Sequence, residues 1–116
     1  MHELSIALSI VEIASEEAER QPGSRVEAVH LRLGPLAGVV KDALLFSWQL
    51  ACEETPVAGA RLAIEETRVC VQCPACGAES EIAGDFDLRC PACGNTVTEV
   101  IRGRELEVTA LELEDR

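Results

Sequence analysis

Four cysteines form the most chemically informative pattern in the sequence. They occur as two Cys-x-x-Cys pairs, Cys73 with Cys76 and Cys90 with Cys93, and each pair lies in the same motif, Cys-Pro-Ala-Cys-Gly. A Cys-x-x-Cys turn directs two sulfurs towards one point about 2.3 Å from each, and two such turns complete a closed tetrahedral site. The glycine after each second cysteine permits the left-handed backbone that such a turn needs. The pattern therefore predicts one structural metal ion, with zinc favoured.

Iron is the main alternative to zinc, because four thiolates also suit a rubredoxin-like electron-transfer centre. Zinc is favoured since aromatic residues that could pack around a redox iron are scarce in this segment, where Phe86 stands alone. Two disulfides or a redox dithiol are disfavoured, because cytosolic redox Cys-x-x-Cys motifs occur singly on a βαβ scaffold. The colour of the purified protein would separate an iron protein from a zinc protein.

Two further cysteines lie outside the repeated motif. Cys70 precedes Cys73 by three residues and could form an alternative pair with it, but it lacks the Pro-Ala-Cys-Gly context. Cys52 falls in a predicted helix and is expected to be a small buried hydrophobic residue. We interpret Cys70 as a spare thiol and Cys52 as part of a core.

Charge and composition exclude several classes of protein. The 116 residues include 10 Lys and Arg against 21 Asp and Glu, a formal net charge of −11. Residues 69–101 contain five acids and one arginine. A ribbon that binds phosphate backbones needs the opposite charge, so a nucleic-acid interaction module is disfavoured. Partners that are cationic, or metal ions themselves, suit this balance better.

No segment of the chain has the pattern of a membrane span or a secretory signal. The first apolar stretch, residues 4–14, is interrupted by Ser5, Ser9 and Glu12 and has no basic region before it. We therefore expect a cytoplasmic protein without membrane contact. The sequence also has no evident nucleophile–base pair and no Gly-rich phosphate loop, which indicates a binding protein rather than an enzyme.

Hydrophobic periodicity predicts five regular elements. Helices are expected at 3–20 and 41–52, and strands at 25–33, 61–68 and 104–113. The apolar face of the first helix is so wide that the rest of the fold should cover most of it. Along the first strand, Val26, Ala28 and His30 should face one way and Val29 and Leu31 the other.

This order of elements predicts an α+β fold. A small β-sheet should carry two helices on one face, and a zinc-knuckle domain resembling a zinc ribbon should be inserted between its last two strands. The predicted domains are a helix–sheet domain, 1–68 with 102–116, and a zinc-binding domain, 69–101. The inserted segment has so few aliphatic residues that it could hardly fold without its metal.

The N-terminus offers a second candidate metal site. His2 follows Met1 directly, so a terminal amine, a backbone nitrogen and an imidazole can surround one ion. Nitrogen-rich donor sets of this kind favour Ni²⁺ or Cu²⁺ over zinc. On position alone, a terminal histidine is more often a solvated residue, and Glu3 more often an acid that complements a helix dipole. His30, in a predicted strand, is interpreted as structural.

Three features together resemble the HypA/HybF family of hydrogenase-maturation nickel chaperones. They are Met-His-Glu-Leu-Ser at residues 1–5, Leu-Arg-Leu-Gly-Pro-Leu at 31–36, and the paired cysteine knuckles. The resemblance covers essentially the whole chain. It implies that His2 binds nickel with nearby backbone nitrogens, that Glu3 supports nickel handling or partner contact, and that the four paired cysteines hold zinc.

The resemblance also implies partners and a task. Family members deliver Ni²⁺ to the large-subunit precursor of [NiFe]-hydrogenase and work with a partner GTPase of the HypB type. Some members carry a second histidine near the knuckles, and this chain has none there. The last nickel donor is therefore unassigned, and a homodimer is left open.

Overall fold

A computed structural model describes residues 3–82, 89–96 and 99–115. The helices are α1 (Glu3–Arg20) and α2 (Lys41–Cys52), with a short 3-10 turn at Pro35–Ala37. The strands are β1 (Ser24–Leu33), β2 (Arg61–Glu66), β3 (Val69–Gln72), β4 (Glu79–Ile82), β5 (Glu99–Arg102) and β6 (Leu106–Asp115). They form two three-stranded sheets, in the orders β2-β1-β6 and β4-β3-β5. The predicted α+β fold is confirmed, with β3, β4 and β5 inserted between the last two strands of the first sheet.

The chain divides into two compact units. The first, which we call the body, comprises Met1–Leu31, Gly38–Glu65 and Glu107–Arg116, and the second, the ribbon unit, comprises Arg32–Ala37 and Glu66–Leu106. The domains predicted from the sequence, 1–68 with 102–116 and 69–101, remain a proposal about which pieces fold independently. Within the three described ranges, no helix has both the length and the apolarity to cross a membrane.

The body is built on one aliphatic core shared by both helices and the sheet. Its buried members are Ala7, Ile10, Val11, Ala14, Val26, Val29, Leu31, Leu44, Trp48, Ala51, Cys52, Val57, Ala60 and Leu62. Partly buried side chains from β2 and β6, including Ile64, Val108 and Leu111, pack against it. On α2 the apolar residues Leu44, Trp48, Ala51 and Cys52, which share one face at helical spacing, are all buried, and so is Leu62 on β2. On β1 the prediction of strict alternation is wrong, because Val26 joins Val29 and Leu31 in the core.

Helix α1 buries a narrower stripe than its sequence predicted. Ala7, Ile10, Val11 and Ala14 are buried at helical spacing. Three other apolar side chains, Leu4, Leu8 and Ile13, are 46%, 51% and 48% exposed. The expectation that most of this helix would be covered is therefore wrong, because two helices and three strands bury only the side of α1 that faces them.

The chain that follows α2 is held by hydrogen bonds as well as by packing. The indole Nε1–H of Trp48, on α2, donates to the carbonyl oxygen of Ala60 at 2.9 Å in a buried setting. Just beyond β2, the amide of Thr67 donates to the carbonyl of Leu33 at 2.9 Å. This bond brings the C-terminal ends of β1 and β2 together, as expected for parallel strands that are joined by a helical crossover.

The ribbon unit has three short antiparallel strands that the sequence pattern did not predict. The central strand β3 pairs with β4, where Val71 lies opposite Ser80, and with β5, where Val71 lies opposite Val100. Its core is small: Val69, Val71 and Ile82 are buried, and Leu36 and Val100 pack against them. Four-residue strands are too short to show the period-2 alternation on which a strand prediction depends.

Two glycines allow a close backbone approach inside the ribbon unit. A Cβ atom on Gly34 would lie 2.2 Å from the carbonyl oxygen of Gly103, which no side chain tolerates. The amide of Gly34 donates to the carbonyl of Glu105 at 2.7 Å, and the amide of Leu36 donates to that of Gly103 at 2.8 Å. The Gly-Pro that ends β1 is therefore also the point where the chain crosses residues 103–105.

Candidate metal centre

The first cysteine knuckle is a turn that begins directly after β3. The amide of Cys73 donates to the carbonyl of Ala78 at 3.0 Å, and the amide of Gly77 donates to the carbonyl of Cys73 at 2.7 Å. Gly77 has a φ of 75°, and a Cβ there would meet nothing within 4 Å. Glycine is therefore needed for the left-handed backbone and not for space, as the motif predicted.

The second knuckle repeats the same hydrogen-bond pattern with the same offsets. The amide of Cys90 donates to the carbonyl of Asn95 at 2.9 Å, and the amide of Gly94 donates to Cys90 at 2.8 Å. Gly94 has a φ of 76°. In both knuckles the first cysteine is buried and the second is exposed. The repeated Cys-Pro-Ala-Cys-Gly motif thus produces two matching structural units.

The four sulfurs of Cys73, Cys76, Cys90 and Cys93 meet in one group, which we call the four-cysteine cluster. All four lie within 4.8 Å of one another. The sulfurs of Cys73 and Cys93 are 3.5 Å apart, and those of Cys76 and Cys90 are 3.7 Å apart. A zinc ion bound by sulfurs at about 2.3 Å requires sulfur–sulfur edges of about 3.8 Å in a tetrahedron. A disulfide requires about 2.05 Å, so the cluster has the spacing of a metal site.

Backbone amides within the two knuckles lower the pKa of two of the four thiols. The amide of Cys76 is the main cause that lowers the pKa of Cys73. The amide of Cys93, followed by that of Ala92 against an opposing burial effect, lowers the pKa of Cys90 to about 7. These are the two buried first cysteines of the knuckles. Amide donors stabilise a thiolate, so each knuckle presents one thiol that readily becomes a metal ligand.

The pKa values of the exposed second cysteines, Cys76 and Cys93, are shifted in the opposite direction. The amide of Asn95 lowers the pKa of Cys93, but the neighbouring Cys73 thiol, burial and the other cysteines outweigh it and raise the pKa to about 12. Cys76 is likewise raised despite the amide of Ala78, because Cys73 and Cys90 lie against it. Four thiolates at this spacing repel one another unless a cation lies between them. Metal binding at the cluster must therefore release protons.

The two remaining cysteines lie outside the cluster. Cys70, on β3, is 3% exposed, and its sulfur accepts a hydrogen bond from Arg102 Nη2 at 3.2 Å. Cys52 is 4% exposed in the body core, and burial raises its pKa to about 11. A thiol in such surroundings is unreactive at neutral pH. The interpretations of Cys70 as a spare thiol and of Cys52 as a core residue agree with these positions.

The predicted nickel residues are placed only in part. His2 lies outside the described residues, whereas Glu3 is the first residue of α1. Its Oε2 accepts a hydrogen bond from the amide of Val40, just before α2, at 3.4 Å. His30, predicted to be structural, lies on β1 with its Nε2 at 2.8 Å from Glu112 Oε2 on β6. This side-chain contact between two strands of the sheet agrees with the structural interpretation.

One polar contact beside the strand crossing was missed by the sequence reasoning. The hydroxyl of Thr67 donates to Glu105 Oε1 at 2.7 Å, and the amide of Gly103 donates to both oxygens of the same carboxylate at 3.0 and 3.2 Å. The Thr67 hydroxyl is the main cause that lowers the pKa of Glu105. The only signal in the sequence was an acid two residues after a glycine, which is too common to single out.

A small α+β body with an inserted four-cysteine ribbon defines the class: a metal-binding protein with a ribbon of two matched knuckles. A family model described as "Hydrogenase/urease nickel incorporation, metallochaperone, hypA" matches residues 1–113. The hydrogenase maturation factor HypA of Chloroflexus aurantiacus is 54% identical over 112 residues, covering 97% of this chain and 98% of that protein. The chain therefore belongs to the HypA family of nickel metallochaperones.

Other members agree with this assignment. The hydrogenase maturation factor HypA of Geobacter metallireducens is 45% identical over 114 residues, covering 98% of this chain and all of that protein. The solution structure of the nickel metallochaperone HypA from Helicobacter pylori superimposes with a TM-score of 0.69 over the full length of both chains, at 23% identity. At that identity the likeness shows the fold alone. The family recognised from the sequence is confirmed.

Proposed function

We propose that this chain binds Ni²⁺ at its N-terminus and helps to insert it into the large subunit of [NiFe]-hydrogenase, with a structural zinc ion in the four-cysteine cluster. The observation that carries the proposal is the meeting of two matching knuckles in one S₄ group, in a chain of the HypA family. We place this activity in the cytoplasm, where thiols stay reduced. No catalytic step is part of it.

Zinc is the ion that the cluster suits best. A closed set of four thiolates with no open position is typical of structural zinc sites, whereas catalytic sites keep a position for water. Among the described residues of the ribbon unit, the buried core cluster contains three aliphatic side chains, so metal binding has to supply much of the folding free energy of this unit. Zinc therefore stabilises the ribbon, and nickel is the cargo carried elsewhere.

The nickel site is assigned to the N-terminus because of the donors that Met1 and His2 offer. The terminal amine, the amide of His2 once deprotonated, and its imidazole are three nitrogens on one short segment. Such a set suits a tetragonal Ni²⁺ ion and leaves one position open for transfer. Nickel affinity should fall as the imidazole is protonated, near its reference pKa of about 6.5.

Glu3 supports this site more through its backbone than through its carboxylate. The carboxylate already accepts a hydrogen bond from Val40, and this ties the first turn of α1 to the start of α2. Glu3 is thereby fixed at the start of α1, and its amide follows the proposed nickel donors directly in the sequence. The GTPase of the HypB type and the hydrogenase large-subunit precursor are the partners we assign to this end of the chain.

The experiment compares the two histidines of the chain. His2→Ala should weaken Ni²⁺ binding, measured by calorimetry on zinc-loaded protein, by at least about tenfold, since removing even an outer partner of a metal ligand costs 10–100-fold. Zinc content should not change. A residue appended before Met1 tests the terminal amine separately and should weaken nickel binding in the same way.

His30→Ala is the matched control, because it removes the other imidazole, which is paired with Glu112 on the sheet. It should leave nickel affinity unchanged. Equal nickel affinity in the wild type and in His2→Ala would overturn the assignment of the site. A loss in His30→Ala instead would move the nickel site to the sheet.

A further inference from the structure

A cleft of about 540 Å³ in the body is lined by helix α2 and strand β2. Leu45, Trp48 and Cys52 line it from α2, and Leu62 lines it from β2. Trp48, Cys52 and Leu62 also belong to the core of the body, so the floor of the cleft is apolar. Ligand-binding clefts typically have volumes of about 300–1,000 Å³ and mainly apolar walls. This cleft can therefore accept an apolar group of a partner.

The edge of β2 beside this cleft is open. In the described part of the chain, the order β2-β1-β6 gives β2 a neighbouring strand on one side alone. The amide of Thr67 donates to the carbonyl of Leu33, so the backbone groups of odd-numbered residues point to β1. The carbonyl of the even-numbered Ala60 instead accepts the indole N–H from α2. The N–H and C=O groups of Leu62 and Ile64 therefore face the open edge.

The side chains of β2 alternate between the two faces of the sheet. Leu62 and Ile64 pack with the core on the side of the helices. Ala63 and Glu65 therefore point to the opposite face, and they line a second cleft of about 280 Å³ together with His30. A strand added to the edge of β2 would place its alternate side chains beside these two clefts in turn.

The sequence of β2 does not protect this edge against pairing. Exposed edge strands are commonly protected by lysine, by proline or by a β-bulge. β2 reads Arg-Leu-Ala-Ile-Glu-Glu, with no lysine, proline or glycine. An open, regular edge beside an apolar cleft is the kind of site at which a sheet binds an extended peptide as an additional strand.

The charge of the body determines which kind of strand would bind. The ranges of the body contain 14 Asp and Glu against five Lys and Arg. Glu65 is exposed near the end of β2. Opposite charges that face each other on neighbouring strands stabilise a sheet, and like charges destabilise it. The matching strand is therefore basic on the face of Glu65 and apolar on the face of Leu62.

We propose that β2 binds an extended segment of a partner protein in which apolar residues alternate with lysine or arginine. The segment runs antiparallel to β2 and becomes the fourth strand of the body sheet. Its residues opposite Leu62 and Ile64 form hydrogen-bonded pairs and are apolar, and its residue opposite Glu65 is basic. The site uses none of the residues that we assign to nickel or zinc, so this interaction goes beyond the function proposed above and can be tested separately from it.

The edge and the cleft contribute differently to binding. The backbone groups of Leu62 and Ile64 can pair with any strand, so they contribute affinity without selecting a sequence. The larger cleft selects the residue opposite Leu62, which has to be apolar and long enough to enter beside Trp48. A small ligand in the cleft would leave the backbone groups of the edge unpaired, whereas an extended segment satisfies both parts of the site.

The experiment titrates the full zinc-loaded chain with a synthetic peptide, Gly-Lys-Val-Lys-Leu-Thr-Gly, capped at both ends. In the proposed register its first Lys lies opposite Glu65 and its Leu lies opposite Leu62. Trp48 is the single Trp of the chain and lines the cleft, and the peptide has no aromatic residue. Binding should therefore shift the fluorescence emission of Trp48 saturably, and calorimetry should give the same dissociation constant.

Two N-methylated peptides separate strand pairing from attraction between charges. Methylation of the Val and Leu amides, which face β2 in this register, removes two hydrogen bonds and should raise the dissociation constant by at least about tenfold. Methylation of the two Lys amides, which face away from β2, is the matched control and should leave the constant unchanged. If the two methylated peptides bind equally well, whether tightly or weakly, the peptide is not held as a strand and the proposal is wrong.

The charge of Glu65 is tested by a substitution in the protein. Glu65→Lys should raise the dissociation constant by about threefold to tenfold, because an attractive cross-strand pair becomes repulsive. A peptide with Glu in place of its first Lys should bind to this variant more tightly than to the wild type. Glu114→Lys is the matched control, since it makes the same change of charge on β6, where Glu114 pairs with Arg25 at 3.1 Å. It should bind the peptide like the wild type.

Two results would overturn the proposal at this point. Equal weakening in Glu65→Lys and Glu114→Lys would show that net charge alone attracts the peptide. The absence of any saturable shift in the emission of Trp48 would show that no apolar side chain of the peptide reaches the cleft.

Discussion

The two units of this chain are stabilised by different means. The body buries fourteen residues in one aliphatic core, to which helices and strands both contribute. In the part of the ribbon unit that the structure describes, the buried core cluster has three aliphatic residues, and the other centre is the four-cysteine cluster. Burial of apolar side chains stabilises a core without any ion, whereas four thiolates at this spacing are stable only around a cation.

This difference predicts that the body folds without a metal ion, whereas the ribbon unit folds only when a metal ion is bound. The body should remain folded whatever metal is available, and the nickel site that we propose lies directly before its first helix in the sequence. The folding of the ribbon unit should depend on zinc alone. With the nickel and zinc sites that we propose in different units, the chain can gain and lose nickel without losing its fold.

Removing one of the proposed zinc ligands should have the largest effect on this difference between the two units. Cys90→Ala should abolish zinc retention and amide protection over residues 69–101, because structural zinc supplies on the order of 10 kcal/mol to a small domain. Amides of α1 should keep their protection from hydrogen exchange. Zinc content by elemental analysis and exchange by mass spectrometry are the two measurements.

Cys70→Ala is the control for this substitution, because Cys70 is a neighbouring cysteine outside the cluster that bonds to Arg102. It should retain a full equivalent of zinc. If Cys90→Ala also keeps a full equivalent, Cys70 has replaced the lost ligand and the cluster is assigned wrongly. If α1 loses its protection together with the ribbon, the two units do not fold separately.

How much of this contrast the sequence could predict depends on the length of the elements. Helices α1 and α2 each repeat their apolar spacing over three or more turns, so their bounds and most of their buried positions could be predicted. The strands of the ribbon are four residues long and were not predicted. The exposure of Leu4 and Leu8 could not be foreseen either, since it depends on how much neighbouring surface the fold provides.

The candidate site shows the same division between local and distant information. The knuckles are local, so the ligand identities and the role of Gly77 and Gly94 followed from the motif. The bond from Arg102 to Cys70 joins residues on two strands whose pairing leaves no periodic signal. The contact of Thr67 with Glu105, 38 residues apart, was invisible for the same reason.

Truncating a buried side chain of the body tests whether the ribbon unit is independent of the body, and the expected effect is smaller. Leu44 on α2 is fully buried, and Leu44→Ala should lower the free energy of unfolding of the body by about 2–5 kcal/mol. Leu50 on the same helix is 51% exposed, so Leu50→Ala should cost less than about 0.5 kcal/mol. Both variants should keep their zinc. Zinc loss in Leu44→Ala at temperatures where the body is folded would contradict the independence of the two units.

The smallest expected effect concerns the carboxylate of Glu105 in the ribbon unit. The hydroxyl of Thr67 is the main cause that holds its pKa below the usual 4.5, and the amide of Gly103 adds to it. A carboxyl with a lowered pKa in the folded state stabilises that state above its unfolded pKa. This contribution is lost as the pH falls through the folded value. Because the side chain is only partly buried and solvent screens it, this carboxylate should contribute less than about 1 kcal/mol to the stability of the folded state.

Glu105→Gln should therefore weaken the protection of the Gly103 amide near neutral pH and flatten its dependence on pH below the usual carboxyl range. Acid also removes zinc by protonating thiolates, so the comparison has to be made between variants at equal zinc occupancy. Thr67→Val should have a similar effect, and the double variant should add little to either single change, since the two side chains act through one hydrogen bond. Additive effects, or equal protection of Gly103 in wild type and Glu105→Gln at pH about 7 by hydrogen exchange, would show that backbone contacts alone hold the crossing at Gly34 and Gly103.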